Sequence, residues 1–288
     1  GVMLANQVRV SFEVYPPRDQ NSGESLESSI LELAKLDPTF ISVTFGAGGS
    51  STKNSLAVLK FILQNTQAAA LAHLTCVGHS FLETKDLVSQ FMDEGISDFL
   101  ALRGDPQPGM PSEPKGELKS SSELVQLISQ VHKERGNNRS DLNVAVATFP
   151  NGHPDSDSIA QDIQALLAKQ SSGADYAITQ LFFFASDYVN FVKLAREAGV
   201  TIPILPGIMP VTSMQRLHRV IELTGEKNPE ELAKLLSVDS KEQAKDAGIN
   251  WAANLVTELV DAGAPGVHLY AFNQHESVTQ VLQRAGIR

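Results

Sequence analysis

The sequence has one cysteine, no long apolar run and no basic cluster, and each of these absences excludes a class of protein. Cys76 alone allows no intrachain disulfide and no all-cysteine zinc or iron-sulfur site, which favours a reducing compartment. The longest apolar stretches, such as residues 202–209 with their internal prolines, are much shorter than the ~20 residues that cross a bilayer. We therefore expect a cytoplasmic protein without a membrane-spanning segment.

Positive charge is also scarce. Lys and Arg total 23 against 33 Asp and Glu, which gives a formal net charge of -10. Such a chain repels phosphate backbones and anionic lipid headgroups, so neither nucleic acid nor a membrane surface is an expected partner. The apolar content of 42% and the charged content of 19% are ordinary for a folded globular protein.

Short apolar runs of strand character alternate with amphipathic helical segments along the whole chain. The predicted strands cover residues 8–14, 39–45, 70–76, 98–103, 142–148, 175–182, 203–208 and 266–272. Their usual spacing of roughly thirty residues is that of one βαβ unit. The repetition predicts an α/β protein, a (β/α)8 barrel in which residues 1–288 form a single domain, with a doubly wound open sheet as the alternative.

The two faces of the predicted strands favour the barrel over the open sheet. In the first strand Val10, Phe12 and Val14 share one face, while Ser11 and Glu13 lie on the other. Open parallel sheets are usually apolar on both faces. One polar face per strand is better suited to the lumen of a barrel that leads to a polar mouth.

Polar residues gather where the predicted strands end. In a barrel these carboxyl ends form one face, so the residues there predict a small-molecule site. They are Glu13, Thr44, His73, Thr75, Arg103, Asp105, His153, Gln180, Tyr270 and Asn273.

Other site chemistries receive less support. His73 and Cys76 are three residues apart and would point to opposite faces of a strand, so we expect no metal site. The glycines of residues 46–49 do not complete the Gly-x-Gly-x-x-Gly dinucleotide fingerprint. The sequence also has no phosphate-binding P-loop motif and no Gly-x-Ser-x-Gly hydrolase elbow.

Several motifs occur in the order found in one enzyme family. They are SFEVYPP (11–17), SVTFGA (42–47), HLTC (73–76), ALRGD (101–105), HP (153–154), ITQLFF (178–183) and PGIMP (206–210). From about residue 8 to its end, the chain resembles the bacterial-type methylenetetrahydrofolate reductases.

The resemblance implies an FAD-carrying barrel that takes a hydride from NAD(P)H and reduces 5,10-methylenetetrahydrofolate to 5-methyltetrahydrofolate. It also implies a homo-oligomer that works in one-carbon metabolism and methionine biosynthesis. Glu13 resembles the general acid and Asp105 a catalytic carboxylate beside the flavin and pterin, while Gln180 resembles a residue that hydrogen-bonds the substrate. The positions matching FAD contacts are Thr44, His73, Arg103, Gly104, Asp105, His153 and Lys169. To act as an acid near neutral pH, Glu13 needs a pKa above the model value of ~4.3.

The chain departs from the family at several ligand contacts. Ser120, Ala165 and Ala168 stand at positions of flavin contacts, and at substrate-binding positions Met214 replaces a stacking phenylalanine and Gln274 an arginine that meets the folate tail. Two alternatives follow: a reductase with weak or absent flavin, and a non-catalytic paralogue that binds folate or flavin. A barrel lyase or aldolase is disfavoured because the predicted strands offer no obvious Schiff-base lysine.

Overall fold

The computed structural model describes residues 8–17, 20–45, 52–76, 78–103, 118, 120–272 and 274–288. Within these residues the strands are β1 Val10–Val14, β2 Phe40–Val43, β3 Ala69–Thr75, β4 Asp98–Leu102, β5 Asn143–Thr148, β6 Tyr176–Thr179, β7 Ile204–Leu205, β8 Gly207–Ile208 and β9 Val267–Tyr270. The helices are α1 Gln20–Ala34, α2 Thr52–Asn65, α3 Phe81–Asp93, α4 Ser121–Glu134, α5 Ile159–Ser171, α6 Ala185–Ala198, α7 Met214–Thr224, α8 Glu230–Leu236, α9 Lys241–Asp261 and α10 His275–Arg284.

All pairs of neighbouring strands are parallel, and their order is β7-β6-β5-β4-β3-β2-β1-β9-β8. Only Pro206 separates β7 from β8 in the chain, so the two edges of the sheet meet at this residue and the sheet closes into a barrel. The break arises because proline has no N–H to donate to a neighbouring strand. The predicted strand at 203–208 is thus present as two short pieces. The barrel is confirmed, and the open sheet is wrong.

Serine side chains fix where many of the helices begin. Ser80, Ser120, Ser158, Ser213 and Ser240 each accept a hydrogen bond from the backbone N–H three residues ahead, at the start of α3, α4, α5, α7 and α9. The helices follow the carboxyl ends of the strands, so their N-termini lie around the mouth of the barrel. None of the helices in the described ranges combines the length and the apolar composition that a membrane crossing requires.

The barrel has an apolar outer layer and a lumen that changes character along its axis. Val10, Phe12 and Val14 are buried against the helices, as predicted. Deep in the lumen, an apolar cluster contains Phe40, Leu71, Leu100, Ala145 and Ile178. Two residues further along β2 and β3, the side chains that follow Phe40 and Leu71 are the polar Ser42 and His73. The apolar layer therefore forms a floor beneath a polar mouth.

Candidate functional site

Glu13 lies at the centre of the polar layer, next to two histidines contributed by neighbouring parts of the barrel. Its Oε1 atom lies 3.1 Å from His73 Nε2 and 3.9 Å from His268 Nε2, and it accepts a hydrogen bond of 3.3 Å from Ser42 Oγ. Only 7% of Glu13 is exposed. The order of the sheet explains the cluster, because β1 pairs on one side with β2, which pairs with the β3 of His73, and on the other side with the β9 of His268.

The histidines determine the charge of Glu13. Burial alone raises the pKa of this carboxyl, but the charge of His73 and the contacts with His268 outweigh burial and lower the pKa to about 2. The expectation of a raised pKa is therefore wrong for the site as described. Burial does oppose ionisation, but the closed barrel also places two imidazoles beside the carboxylate.

The backbone of Glu13 is held equally firmly. Its carbonyl oxygen accepts hydrogen bonds of 3.1 Å from both Ala271 N and Phe272 N, just beyond the end of β9. Phe272 has a φ of 41°, unusual for a residue other than glycine, and its ring stacks on Tyr15 with centroids 4.2 Å apart. Such a conformation persists only where its surroundings enforce it, and here it closes the turn over β1.

His268 was not among the predicted site residues. It is fully buried, and its Nδ1 atom is hydrogen-bonded to Ser11 Oγ at 2.8 Å. Next to it on the same face of β9, Tyr270 donates a 2.7 Å hydrogen bond to Thr179 O across the barrel. His268 precedes the predicted site residue Tyr270 by two positions, so alternation along β9 is the signal that could have identified it.

Three buried polar atoms of the site make no hydrogen bond within the described part of the chain. Thr44 Oγ1 lies just after β2, and the Nε2 atoms of His73 and His268 are close to Glu13 but not aligned with it for a hydrogen bond. Buried polar atoms normally find partners, so these atoms are suited to a polar ligand. Thr44 and His73 are the residues that best fit the polar edge of a planar heterocycle.

Gln180 directly follows β6, two residues after Ile178 of the apolar lumen cluster. Its backbone N donates to Thr148 O at 2.8 Å, and its side-chain Oε1 accepts from Leu181 N at 3.0 Å. Among the described residues its Nε2 group has no hydrogen-bond partner. The fixed oxygen orients this amide so that two N–H donors remain for a ligand.

Lys169 forms an unexpected contact with the sheet. Its Nζ atom donates a 2.8 Å hydrogen bond to Ala147 O on β5. Burial lowers the pKa of this lysine to about 8, although the carboxylate of Asp162 opposes the shift. An ammonium group carries three donors, so one bond to Ala147 leaves capacity for an anion.

The other predicted cofactor contacts are dispersed around the same side of the mouth. The ring nitrogen of His153 accepts a hydrogen bond from Asp155 N at 3.0 Å, and the His153 backbone N donates to Asp162 Oδ1 at 3.2 Å. Arg103 is exposed immediately after β4, and its carbonyl accepts from Cys76 Sγ at 3.5 Å. Gly104 and Asp105 lie outside the described residues.

Four of the positions at which the sequence departs from the family it resembles lie at the start of α4, on α5 and on α7. Ser120 caps α4, and Ala165 and Ala168 are exposed on α5 without polar side-chain atoms. Met214 is the first residue of α7 and packs beside an apolar cluster that includes Leu181 and Phe183.

Gln274 has a charged neighbour that the sequence did not indicate. With its amide turned so that the oxygen faces Arg216, Gln274 accepts from both terminal nitrogens of that arginine, at 3.2 Å from Nη1. Arg216 lies on α7 and Gln274 directly precedes α10, so only the folded barrel brings them together.

Within the described ranges, no group of three or more His, Cys, Asp or Glu side chains could hold a metal ion.

The chain is similar in sequence to proteins of known function. A sequence profile described as methylenetetrahydrofolate reductase matches residues 2–286. The 5,10-methylenetetrahydrofolate reductase of Escherichia coli (strain K12) is 32% identical over 287 residues, covering 99% of this chain and 93% of that protein. Methylenetetrahydrofolate reductase (NADH) 1 of Arabidopsis thaliana is 29% identical over 98% of this chain and 49% of its own length.

Solved structures support the fold. Dihydropteroate synthase from Xanthomonas albilineans has a TM-score of 0.53 at 12% identity, with 98% of this chain and 92% of that chain covered. A 2,3-dimethylmalate lyase has a TM-score of 0.56 at 12% identity, with 97% and 80% covered. At such low identity these similarities concern the barrel alone. The profile match and the E. coli relative confirm the expected enzyme family: the chain belongs to the methylenetetrahydrofolate reductase family.

Proposed function

We propose that this chain reduces 5,10-methylenetetrahydrofolate to 5-methyltetrahydrofolate, with FAD as cofactor and NAD(P)H as the source of the hydride. The observation that carries the proposal is the buried Glu13 carboxylate, held between His73 and His268 at the mouth of the barrel. Family membership supports the reaction, and the NADH in the name of the Arabidopsis relative supports NADH as the donor.

The residues present fit a flavin. Thr44 Oγ1, which makes no hydrogen bond within the described part of the chain, would hold the polar edge of its ring, and His73 is a proposed contact beside it. Arg103 and Lys169 would supply cations for its phosphates, and Gly104, Asp105 and His153 are the remaining proposed contacts. When bound, the flavin would accept a hydride from NAD(P)H and pass it to the folate. The alanines at 165 and 168 remove two polar contacts, so we expect FAD to be held less firmly than in relatives that carry polar residues there.

Glu13 and His73 together would supply the proton that opens the ring of the substrate. Opening the five-membered ring of the substrate requires protonation of the leaving nitrogen and produces an iminium cation. Because Glu13 is an anion in the site as described, it acts as an acid only when His73, 3.1 Å away, supplies the proton. The pair can therefore deliver one proton and then leave a carboxylate near the new cation.

Asp105 and Gln180 complete the proposed catalysis. A carboxylate ~4 Å from the iminium stabilises it by roughly 4 kcal/mol at an effective dielectric near 20, and we assign this role to Asp105. The free Nε2 group of Gln180 would donate to the pterin and fix its orientation. Met214 would supply an apolar contact to the substrate.

An activity assay and an absorbance spectrum test the proposal. Purified protein should show flavin absorbance near ~450 nm, directly or after adding FAD, and should oxidise NADH only when 5,10-methylenetetrahydrofolate is present. Colourless protein that still forms 5-methyltetrahydrofolate would contradict FAD as the cofactor and would support the proposed reaction. Failure to reduce the folate, with bound flavin or folate, would favour the non-catalytic paralogue.

The predicted homo-oligomer, the cytoplasmic location and the role in methionine biosynthesis stay predictions. Light scattering on the purified protein measures the first of these. A mass equal to one chain would contradict it.

A further inference from the structure

The imidazole of His268 is held in one orientation beside Glu13. It is fully buried, stacked on the Phe40 ring with centroids 5.4 Å apart and nearly perpendicular to the Tyr270 ring at 5.3 Å. Ser11, its partner in the register of β1 and β9, contacts the Nδ1 atom through its hydroxyl at 2.8 Å. The ring is therefore fixed with its Nε2 atom 3.9 Å from Glu13 Oε1.

The neighbours of His268 determine which of its nitrogens carries the proton. Nε2 faces the carboxylate oxygen of Glu13 and makes no hydrogen bond with any described residue. A lone pair on Nε2 would be repelled by the carboxylate, so we assign the proton to Nε2. Nδ1 of the neutral ring then accepts from the Ser11 hydroxyl. Ser11 thus keeps His268 as a donor toward Glu13.

His73 makes its closest approach to the same oxygen of Glu13, at 3.1 Å from Nε2, but its role changes during the proposed reaction. Once His73 has given its proton to Glu13, its Nε2 atom carries a lone pair instead. When Glu13 has passed the proton to the substrate, this lone pair and the new carboxylate repel one another. The carboxylate then needs another donor, because a buried charge without a partner is strongly destabilised.

The other polar side chains around Glu13 in the described part of the chain are already engaged. Ser42 Oγ, 3.3 Å from Glu13 Oε1, has one hydrogen and also faces a backbone carbonyl of β1 at 3.5 Å. The Tyr270 hydroxyl donates to a backbone carbonyl of β6 at 2.7 Å. The Nε2–H of His268 is the donor that remains uncommitted.

We propose that His268, fixed as a donor by Ser11, is a positioning residue that holds the Glu13 carboxylate once His73 has given up its proton. The inference rests on the proposed function, in which the proton reaches the folate through Glu13. Both imidazoles address Oε1, so a small rotation of the Glu13 side chain changes its partner from His73 to His268 without moving it out of the polar layer.

Glutamine and asparagine at position 268 form a matched pair of variants. The side-chain nitrogen of glutamine reaches about as far as Nε2 of histidine, whereas the shorter asparagine reaches only as far as Nδ1. His268→Gln should therefore retain a donor toward Glu13, and His268→Asn should lose it while still meeting Ser11. His218→Gln, at an exposed position of α7, is the control that should change nothing.

Infrared spectroscopy during an acid titration measures the protonation of Glu13 without turnover. The relevant band is the carboxylic acid absorption that Glu13→Gln lacks. In His268→Asn it should appear at a pH about one unit or more above that of wild type, because loss of a donor raises the pKa of a carboxyl, while His268→Gln should titrate close to wild type. Of the other titratable neighbours, His73 is present in every variant, and burial together with the charge of Glu13 holds the pKa of Tyr270 far above this range.

Reaction rates give a second measurement. His268→Asn should lower kcat for folate reduction about 10- to 100-fold and leave both the KM for the folate and NADH oxidation with a quinone within about threefold. His268→Gln should recover most of the lost rate. Ser11→Ala frees the imidazole to exchange its proton between the two nitrogens, so it should show an intermediate loss. Circular dichroism checks that each variant is folded.

The outcomes separate this inference from the proposed reaction. The same infrared titration in His268→Asn and His268→Gln, or equal loss of both reactions in His268→Asn, would overturn it by making His268 a packing residue. Equal loss of folate reduction in the two variants would also overturn it and leave the proposed function intact. If the infrared titrations differ as expected but wild type forms no 5-methyltetrahydrofolate, the proposed function fails and the contact between His268 and the carboxylate stands.

Discussion

At the scale of single residues, Glu13 shows how neighbours decide a chemical role. Burial would hold a carboxyl neutral, yet the two imidazoles beside Glu13 hold it ionised. In the proposed reaction the negative charge, on Glu13, and the proton source, His73, are thus separate groups only 3.1 Å apart. Proton donation by this pair therefore requires both the Glu13 and the His73 side chain.

Glu13→Gln should lower folate reduction by about 100- to 10,000-fold, because a glutamine neither passes on a proton nor stabilises a cation. NADH oxidation with a quinone acceptor should stay within about threefold of wild type, since that reaction needs no proton for ring opening. Stopped-flow absorbance measures the two reactions separately. Glu222→Gln, at an exposed position of α7, is the matched control. Equal loss of both reactions would show that Glu13 is structural.

The lowered pKa of Lys169 should make the stability of the folded protein depend on pH. Its pKa is lowered by burial from 10.5 to about 8, so between these values the unfolded chain binds more protons than the folded chain. Stability of wild type relative to Lys169→Met should therefore rise as the pH increases from about 8 toward 10.5. Urea unfolding at several pH values measures the difference. A difference independent of pH would mean that the lysine is solvated.

At the scale of elements, contact between α9 and the segment before α7 depends on a glycine. A Cβ atom on Gly248 would lie 1.9 Å from Val211 O, closer than any real contact allows. The segment 209–213 leads from β8 to α7 and so sets the position of Arg216. Close packing of α9 therefore helps to place the rim of the site.

Gly248→Ala should lower the free energy of unfolding by about 1–3 kcal/mol, although alanine is the better helix former, because backbone must move to make room. Chemical denaturation measures the free energy of unfolding of each variant. Gly23→Ala, inside α1, is the matched control: its added Cβ meets only Pro17 Cγ at 3.8 Å, and stability should be unchanged or higher. Equal stability of the two variants would contradict the close contact at Gly248.

At the scale of the whole molecule, the barrel closes through two short strands on either side of Pro206. Closure joins the first and last parts of the chain, since β1 pairs with β9. We propose that residues 1–288 form one domain, because no described part of the barrel can complete its sheet alone.

One domain predicts one cooperative unfolding transition. Trp251, the single tryptophan, lies on α9 and donates to Phe183 O at 2.9 Å, so its fluorescence reports on packing near the end of β6. Its denaturation curve should coincide with that of far-ultraviolet circular dichroism, which reports on all helices. Two separate midpoints would indicate independently unfolding parts.

The sequence by itself determined the barrel and its polar face. Alternation along the first strand placed Glu13 opposite Phe12, and the spacing of the strands indicated their parallel direction. These are local properties, because side-chain direction repeats every two residues in a strand. The position of Glu13, His73 and Gln180 at one face follows from them.

Only the tertiary structure decided the neighbours and the charges. Ser11 and His268 are 257 residues apart in the chain and meet because the sheet closes. The lowered pKa of Glu13, the bond of Lys169 to β5 and the pairing of Arg216 with Gln274 all depend on such distances. Electrostatic interactions fall off with separation in space, and periodicity along a chain does not specify separations between distant segments.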